Sequence, residues 1–164
     1  VVDVGAFDQR FDDLWLKVKD RFGISIWKDS NYLNWRYASC PDRHYDTLAA
    51  EEEGTLTGFM VLMSAEGPSK VGRVVDFVSL PGREQAESLL VLAGLEHLRE
   101  QGADMASCHV FEHSPLCQSL RRQGFFKRGE AFDVVVRALG GDLPSAALLD
   151  IKQWHLVGGD IDVF

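Results

Sequence analysis

A chain of 164 residues, 46% hydrophobic and 26% charged, suffices for one globular domain with a real core. Its net charge of −8 speaks against non-specific binding to nucleic acid or anionic lipid, which needs a surplus of Lys and Arg. No apolar run approaches the roughly eighteen residues of a membrane helix, and no basic region precedes an apolar stretch at the start, so neither a membrane span nor a signal peptide is expected. Cys40, Cys108 and Cys117 are odd in number and irregular in spacing, which reads as free thiols in a reducing compartment, the cytoplasm. The first residue is Val rather than Met, as in a trimmed chain or a piece of a longer polypeptide.

From Phe7 to Phe22, apolar residues recur at steps of three and four (Phe7, Phe11, Leu14, Trp15, Val18, Phe22), the stripe of an amphipathic helix stopped by Gly23. A second helix begins at Asp29 or Ser30, either able to cap it, and carries Tyr32, Leu33, Trp35, Arg36 and Tyr37, with Pro41 beyond its end. Helical spacing puts Trp35 in the core and leaves Arg36 exposed. The period then shortens. Tyr45 to Glu52 and Thr57 to Ser64 read as two strands around the polar turn Glu53-Gly54. Arg73 to Leu80, nearly apolar throughout, reads as a strand buried on both faces.

Glu84 to Glu100 is a strong helix ended by Gly102, and Met105 to Phe111 is a further strand. Ser114 to Gln123 is a short helix with Ser114 as N-cap, Pro115 at its first position and Gly124 as its stop. Phe125 to Lys127 and Phe132 to Ala138 read as two closing strands. Gly140-Gly141, Pro144, a short helix near Ala146 and an apolar piece through Trp154 and Leu156 follow. The order α-α-β-β-β-α-β-α-β-β contains a strand-helix-strand unit, which implies a right-handed parallel crossover within a mixed sheet.

This order is similar to that of the GNAT N-acetyltransferase superfamily. The strand-helix-strand unit from Arg73 to Phe111 carries the resemblance, as does a short helix running directly into Gly-Phe, here LCQSLRRQGFF ending at Phe126. The segment DSNYLNWRYASCPDRHY and the ending WHLVGGDIDVF also resemble segments of certain bacterial proteins, in which the first often opens a C-terminal GNAT-like half. The implied fold is α/β (α+β by some schemes): a mixed, mostly antiparallel sheet with helices on both faces. Residues 1–164 would form a single GNAT-like domain, as the C-terminal part of a longer chain.

The resemblance implies transfer of an acetyl or acyl group from acetyl-CoA, or a related acyl-CoA, to a small amine or amino sugar. That chemistry needs a base for the incoming ammonium, a backbone donor for the thioester oxygen, and an anchor for the pyrophosphate. Asp76, the one carboxylate in an apolar strand, is the base candidate. His113, where the family often has Asn, is the second proton-handling candidate, histidine being suited to proton exchange near neutral pH. Backbone groups from Val78 to Leu80 would hold the pantetheine arm and carbonyl. Gly82, Arg83, Gln85 and Ala86 fall in the loop that should hold the pyrophosphate, and Arg36 with Tyr37 are candidates for the acceptor platform.

Two departures weigh against activity. The family loop is Arg/Gln-x-x-Gly-x-Gly/Ala, and here Pro81 stands at its first position and Glu84 at its first glycine, leaving only Ala86 matched. A carboxylate roughly 6 Å from a phosphate costs on the order of 2–3 kcal/mol at an effective dielectric near 20. Leu120 stands four residues before Gly124, where these enzymes commonly have the Tyr that protonates the leaving thiolate. The alternative is therefore a non-catalytic, degenerate GNAT-like domain serving a catalytic domain upstream, with that domain or a second copy as its protein partner. Cys108, His109, His113 and Cys117 are metal-ligand types, but their spacing defines no single face, so no metal site is expected. Gly158-Gly159-Asp160-Ile161-Asp162 reads as a turn or strand cap.

Overall fold

The computed structural model describes residues 1–65, 68, 70–129, 134–137, 139 and 145–161. Two short segments lead into the domain: β1 (Val2–Asp3) and α1 (Gln9–Val18), the latter capped by Asp8, whose side chain accepts from the Arg10 N–H. A single 3₁₀ turn, Lys19–Arg21, ends α1 before β2 (Ile24–Ser25), so the long apolar stripe is a ten-residue helix with a tail. Next come α2 (Ser30–Leu33), β3 (Asp46–Glu52), β4 (Thr55–Met63) and β5 (Val71–Ser79). α3 (Glu84–Glu100), β6 (Met105–Cys108) and α4 (Pro115–Arg122) complete the central unit. α5 (Ser145–Leu149) and β7 (Trp154–His155) lie near the end.

The main sheet has the order β1-β3-β4-β5-β6, antiparallel except for the parallel pair β5–β6. Glu53 and Gly54 join β3 to β4 with positive φ at both positions (50° and 77°), the two-residue turn whose twist matches the flanking strands. β5 and β6 are joined through α3, as the crossover expectation requires.

Alternation along the strands sends one set of side chains to each face. Phe59, Val61, Met63 and Val78 meet Phe11, Leu14 and Trp15 of α1 together with Leu33 and Tyr37, while Met60, Leu62, Val74 and Phe77 meet Leu90 and Leu98 of α3 and Leu116 and Leu120 of α4. Helices therefore cover both faces of a mixed, mostly antiparallel sheet, as expected from the sequence.

Three expectations change. Phe125–Arg128 and Val134–Arg137 form no strand, so the hairpin expected beyond α4 is absent among the described residues; Phe132, Asp133 and Ala138 of that stretch lie outside them. Gly140, Gly141 and Pro144 lie outside them as well, and so does Asp162 of the Gly158–Asp162 motif. Second, α2 passes into a π-helical turn, Asn34–Ala38. The extra residue per turn rotates the phase of the stripe. Trp35, expected in the core, is 70% exposed, and Tyr37 is buried in its place. Third, β2 pairs in parallel with β7, a two-stranded sheet that no local pattern announces.

Candidate functional site

The site begins where β5 and β6 part. Their pairing runs from Val71↔Met105 to Val74↔Cys108 and stops, although β5 continues to Ser79. Beyond that point the C-terminal segment bridges the opening: Val110 pairs with Val157, and a Cβ placed on Gly159 would lie 3.2 Å from Val75 Cγ1. A bulge in β5 decides which groups face this segment. Val61 pairs with Asp76 and Leu62 with Val74, leaving Val75 as the extra residue. The bulge turns Asp76 toward the α1/α2 side of the sheet, into contact with Tyr37.

There Asp76 is fully buried and takes three donors. Lys28 Nζ lies 2.6 Å and Tyr37 Oη 2.8 Å from its Oδ2, and the Phe77 N–H donates to Oδ1 at 2.7 Å. Lys28 also donates to Asp160 Oδ1 at 2.8 Å, and all three charged side chains have no exposed surface. The other Asp160 oxygen accepts the Val157 N–H at 3.0 Å, which holds the tight turn Gly158–Asp160.

Burial alone would depress the Lys28 ammonium, but Asp76 and Asp160 outweigh it and raise its pKa. Burial, with Asp76 nearby, raises the Asp160 carboxyl despite the Lys28 charge. The Tyr37 phenol is held well above its usual range by burial and by the same carboxylates. One ammonium thus serves two carboxylates inside the protein.

The two sequence segments singled out above meet here. Arg36 Nε donates to the Gly159 carbonyl oxygen at 2.9 Å, and Tyr37 Oη lies against the Gly159 Cα, where a Cβ would collide with it. Gly159 is needed because nothing larger than hydrogen fits. Arg36 is therefore a clasp on the C-terminal segment, and it is partly buried rather than exposed as expected. Tyr37 lies beneath it, and its opposite side lines a cavity of about 440 Å³ shared with Phe7, Cys40, His44 and Tyr45.

Among residues expected to hold a thioester arm, Leu80 donates its N–H to Thr57 O at 2.8 Å, within the sheet. Alternation turns the buried Val78 toward β4 as well. The backbone groups facing the opening belong instead to Phe77 and Ser79, and the Phe77 donor is already taken by Asp76.

Gly82, Arg83, Gln85 and Ala86 do gather at the start of α3, which no side chain caps. Arg83 is engaged with Glu52 at 2.9 Å, and Glu84 lies in the first turn. One turn on, the Glu87 carboxylate accepts the Ser79 hydroxyl at 3.3 Å and the Ser119 hydroxyl of α4, bracing the mouth of the opening. His113 is exposed at the start of α4, with Nε2 3.1 Å from Trp154 O, and is not among the hydrogen-bond partners of Asp76. Leu120 is buried in the α3/α4 core. Burial, with Asp76 and Cys117 near, pushes the Cys108 thiol up to about 12. Among the described residues no group of three or more His, Cys, Asp or Glu is placed to hold a metal ion, and no helix is long and apolar enough to cross a membrane.

Lys28 and Asp160 are the members of this buried cluster whose pairing sequence reasoning missed. The available signal was a lone Lys28 beside Asp29, and an Asp repeated at the chain's end.

No family model matches the sequence, and no curated protein matches it. Solved structures do match. The aminoglycoside N-acetyltransferase AAC(6')-Iy in complex with CoA is 12% identical, with 84% of this chain and 98% of that chain covered at a TM-score of 0.56. AAC(6')-IG from Acinetobacter haemolyticus is 12% identical, covering 85% and 100% at 0.54. A ribosomal-protein-alanine N-acetyltransferase from Brucella melitensis biovar Abortus 2308 is 13% identical, covering 84% and 97% at 0.52. Strand order, the parted β5–β6 pair and these likenesses agree: this chain has the GNAT acetyltransferase fold.

Proposed function

We propose that this chain is a non-catalytic GNAT-fold domain that binds a small ligand for a catalytic domain upstream. The observation carrying this reading is the state of Asp76. A general base needs a free lone pair within reach of its proton, and here the carboxylate is sealed from solvent, paired with Lys28 and bonded to Tyr37 and Phe77. The Phe77 donor, placed to polarise a thioester oxygen, is consumed in the same contact. Glu84 and Glu87 put two carboxylates where a pyrophosphate would dock, and Leu120 can donate no proton. Three free thiols fit a reducing compartment such as the cytoplasm.

Calorimetric titration with acetyl-CoA tests this. The expected result is no binding up to about millimolar cofactor, and a Kd tighter than about 100 µM, abolished by Ala86→Glu, would overturn it. An upstream segment with an intact glycine loop in the natural reading frame is the expected catalytic partner.

A second reading is favoured by the β5 edge at Phe77–Ser79, which β6 leaves unpaired. The chain would then be an N-acyltransferase moving an acetyl or acyl group from CoA to a small amine or amino sugar. Asp76 and His113 would handle protons, residues 82–86 the pyrophosphate, and Arg36 with Tyr37 the acceptor. It requires the C-terminal segment to leave the opening. Acetyl-CoA binding that is absent in the unmodified chain and present in Gly159→Ala would support this second reading.

A further inference from the structure

Lys28 carries a primary amine sealed inside the protein, and neither functional reading gives that amine a task. Its side chain, like those of Asp76 and Asp160, has no exposed surface. One buried cation between two acids adds little net stability, because desolvation offsets most of the attraction. The same three groups are also the reactants of an amide condensation: an amine, a carboxylic acid for it to attack, and a carboxylate to take its proton.

Asp160 suits the part of the acid. Burial, with Asp76 close by, raises its carboxyl, which favours the protonated form that attack requires. Its Oδ1 lies 2.8 Å from Lys28 Nζ, so its Cγ is within reach of the amine. Its Oδ2 accepts the Val157 N–H at 3.0 Å, a backbone donor placed to stabilise the oxygen of a tetrahedral intermediate. Asp76 suits the proton acceptor. Its Oδ2 is 2.6 Å from Nζ, and the Tyr37 hydroxyl and Phe77 N–H fix its position. Closed to any substrate from solvent, this carboxylate is open to Lys28.

We infer that Lys28 and Asp160 condense into an intramolecular isopeptide bond once the domain has folded. Lys28 passes one ammonium proton to Asp76, and the freed lone pair attacks Cγ of Asp160. The Nζ–Cγ bond forms and the Cγ–Oδ1 bond breaks. The Oδ1 hydroxyl leaves as water with a second proton from Nζ, the third hydrogen stays on the amide nitrogen, and Asp76 keeps the first. No oxidant or other reactant is needed. Groups held in contact in this way react with an effective concentration of roughly 10⁵–10⁸ M, and the exclusion of bulk water opposes hydrolysis. The bond joins positions 132 residues apart and fastens the C-terminal segment over the β5–β6 opening. It rests on neither ligand reading, and it closes the opening that the second one needs free.

Intact mass spectrometry of the full chain, denatured after several days folded at neutral pH, tests this. The expected result is a chain lighter than its sequence by one water. Trypsin should then release residues 22–36, uncut at Lys28, joined through that side chain to Asp160 in residues 153–164. Lys28→Arg keeps the cation but cannot form this amide, and it should retain its full mass. Chain held in urea from lysis should also retain it, and lose the water only after refolding. An unmodified chain of full mass after that time would overturn the inference. So would a water loss that persists in Lys28→Arg or in urea, since it would arise from cyclisation of an aspartate elsewhere. A link to residues 74–83 in place of 153–164 would put the bond on Asp76 and overturn the roles assigned here. Acetyl-CoA titration is independent of all these masses, so the two proposals fail separately.

Discussion

Arg36 donates its Nε hydrogen to the backbone oxygen of Gly159 at 2.9 Å, joining segments 123 residues apart. Beneath that bond, Tyr37 reaches Asp76, and Lys28 ties Asp76 to Asp160. The closure of the β5–β6 opening is thus polar and buried at once.

Removing its cation should be severe. Lys28→Met leaves two carboxylates buried without a cation, with only neutral donors from Tyr37, Phe77 and Val157, and breaking a buried pair in this way costs about 3–5 kcal/mol. Urea denaturation should show that loss, and adding Asp160→Asn to the Met variant should recover part of it. A loss under about 1 kcal/mol for Lys28→Met would mean the cluster is open to water in solution.

Gly159→Ala acts on the same closure sterically. The added methyl meets the Tyr37 hydroxyl and stands 3.2 Å from Val75 Cγ1, so the segment must lift. Hydrogen exchange at residues 154–161 should accelerate at least about tenfold while α3 stays protected. Unchanged exchange in that segment would contradict the packing described.

Acid should weaken the fold through His155. Burial, and then the nearby Lys28 charge, lowers its pKa from 6.5 to about 4. Between those values the unfolded chain holds a proton that the folded chain does not, so stability rises with pH across that window and is lost as pH falls through it. The loss is on the order of 3 kcal/mol for a shift of this size. Urea midpoints from pH 7 to pH 4 should show it, and His155→Phe should flatten that part of the profile.

Trp35 and Leu33 separate helical spacing from the observed phase. Trp35 is 70% exposed, so Trp35→Ala should change stability by no more than about 0.5–1 kcal/mol. Leu33 is fully buried, and Leu33→Ala should cost about 2–5 kcal/mol. Thermal or chemical denaturation of the pair decides which face of this segment is inside.

Much of the fold was legible because it rests on local rules. Glu53-Gly54 marks its own turn, the apolar stripe of 84–100 marks α3, and the run 73–80 marks a strand covered on both faces. The WRY and GGD segments stood out as sequence, but their meeting did not. Lys28 finds its acids 48 and 132 residues away, and no periodicity connects such positions. The π-helical turn was equally hidden, since one extra residue per turn changes the buried face without changing the residues. In the same way Asp76 could be singled out as the odd carboxylate in its strand, while the ammonium beside it could not.

The 132-residue span between Lys28 and Asp160 also sets an order of assembly. Contacts this distant in sequence are slow to form, and during synthesis the earlier partner waits for the later one. On the ribosome, α1, the β3–β4 hairpin and β5 can pack before Asp160 has been made, leaving Lys28 and Asp76 with an unfinished pairing. A nascent domain therefore has its β5–β6 opening uncovered for as long as translation of the last third takes. A ligand or a neighbouring domain present during that interval would meet a β5 edge that the finished protein keeps covered.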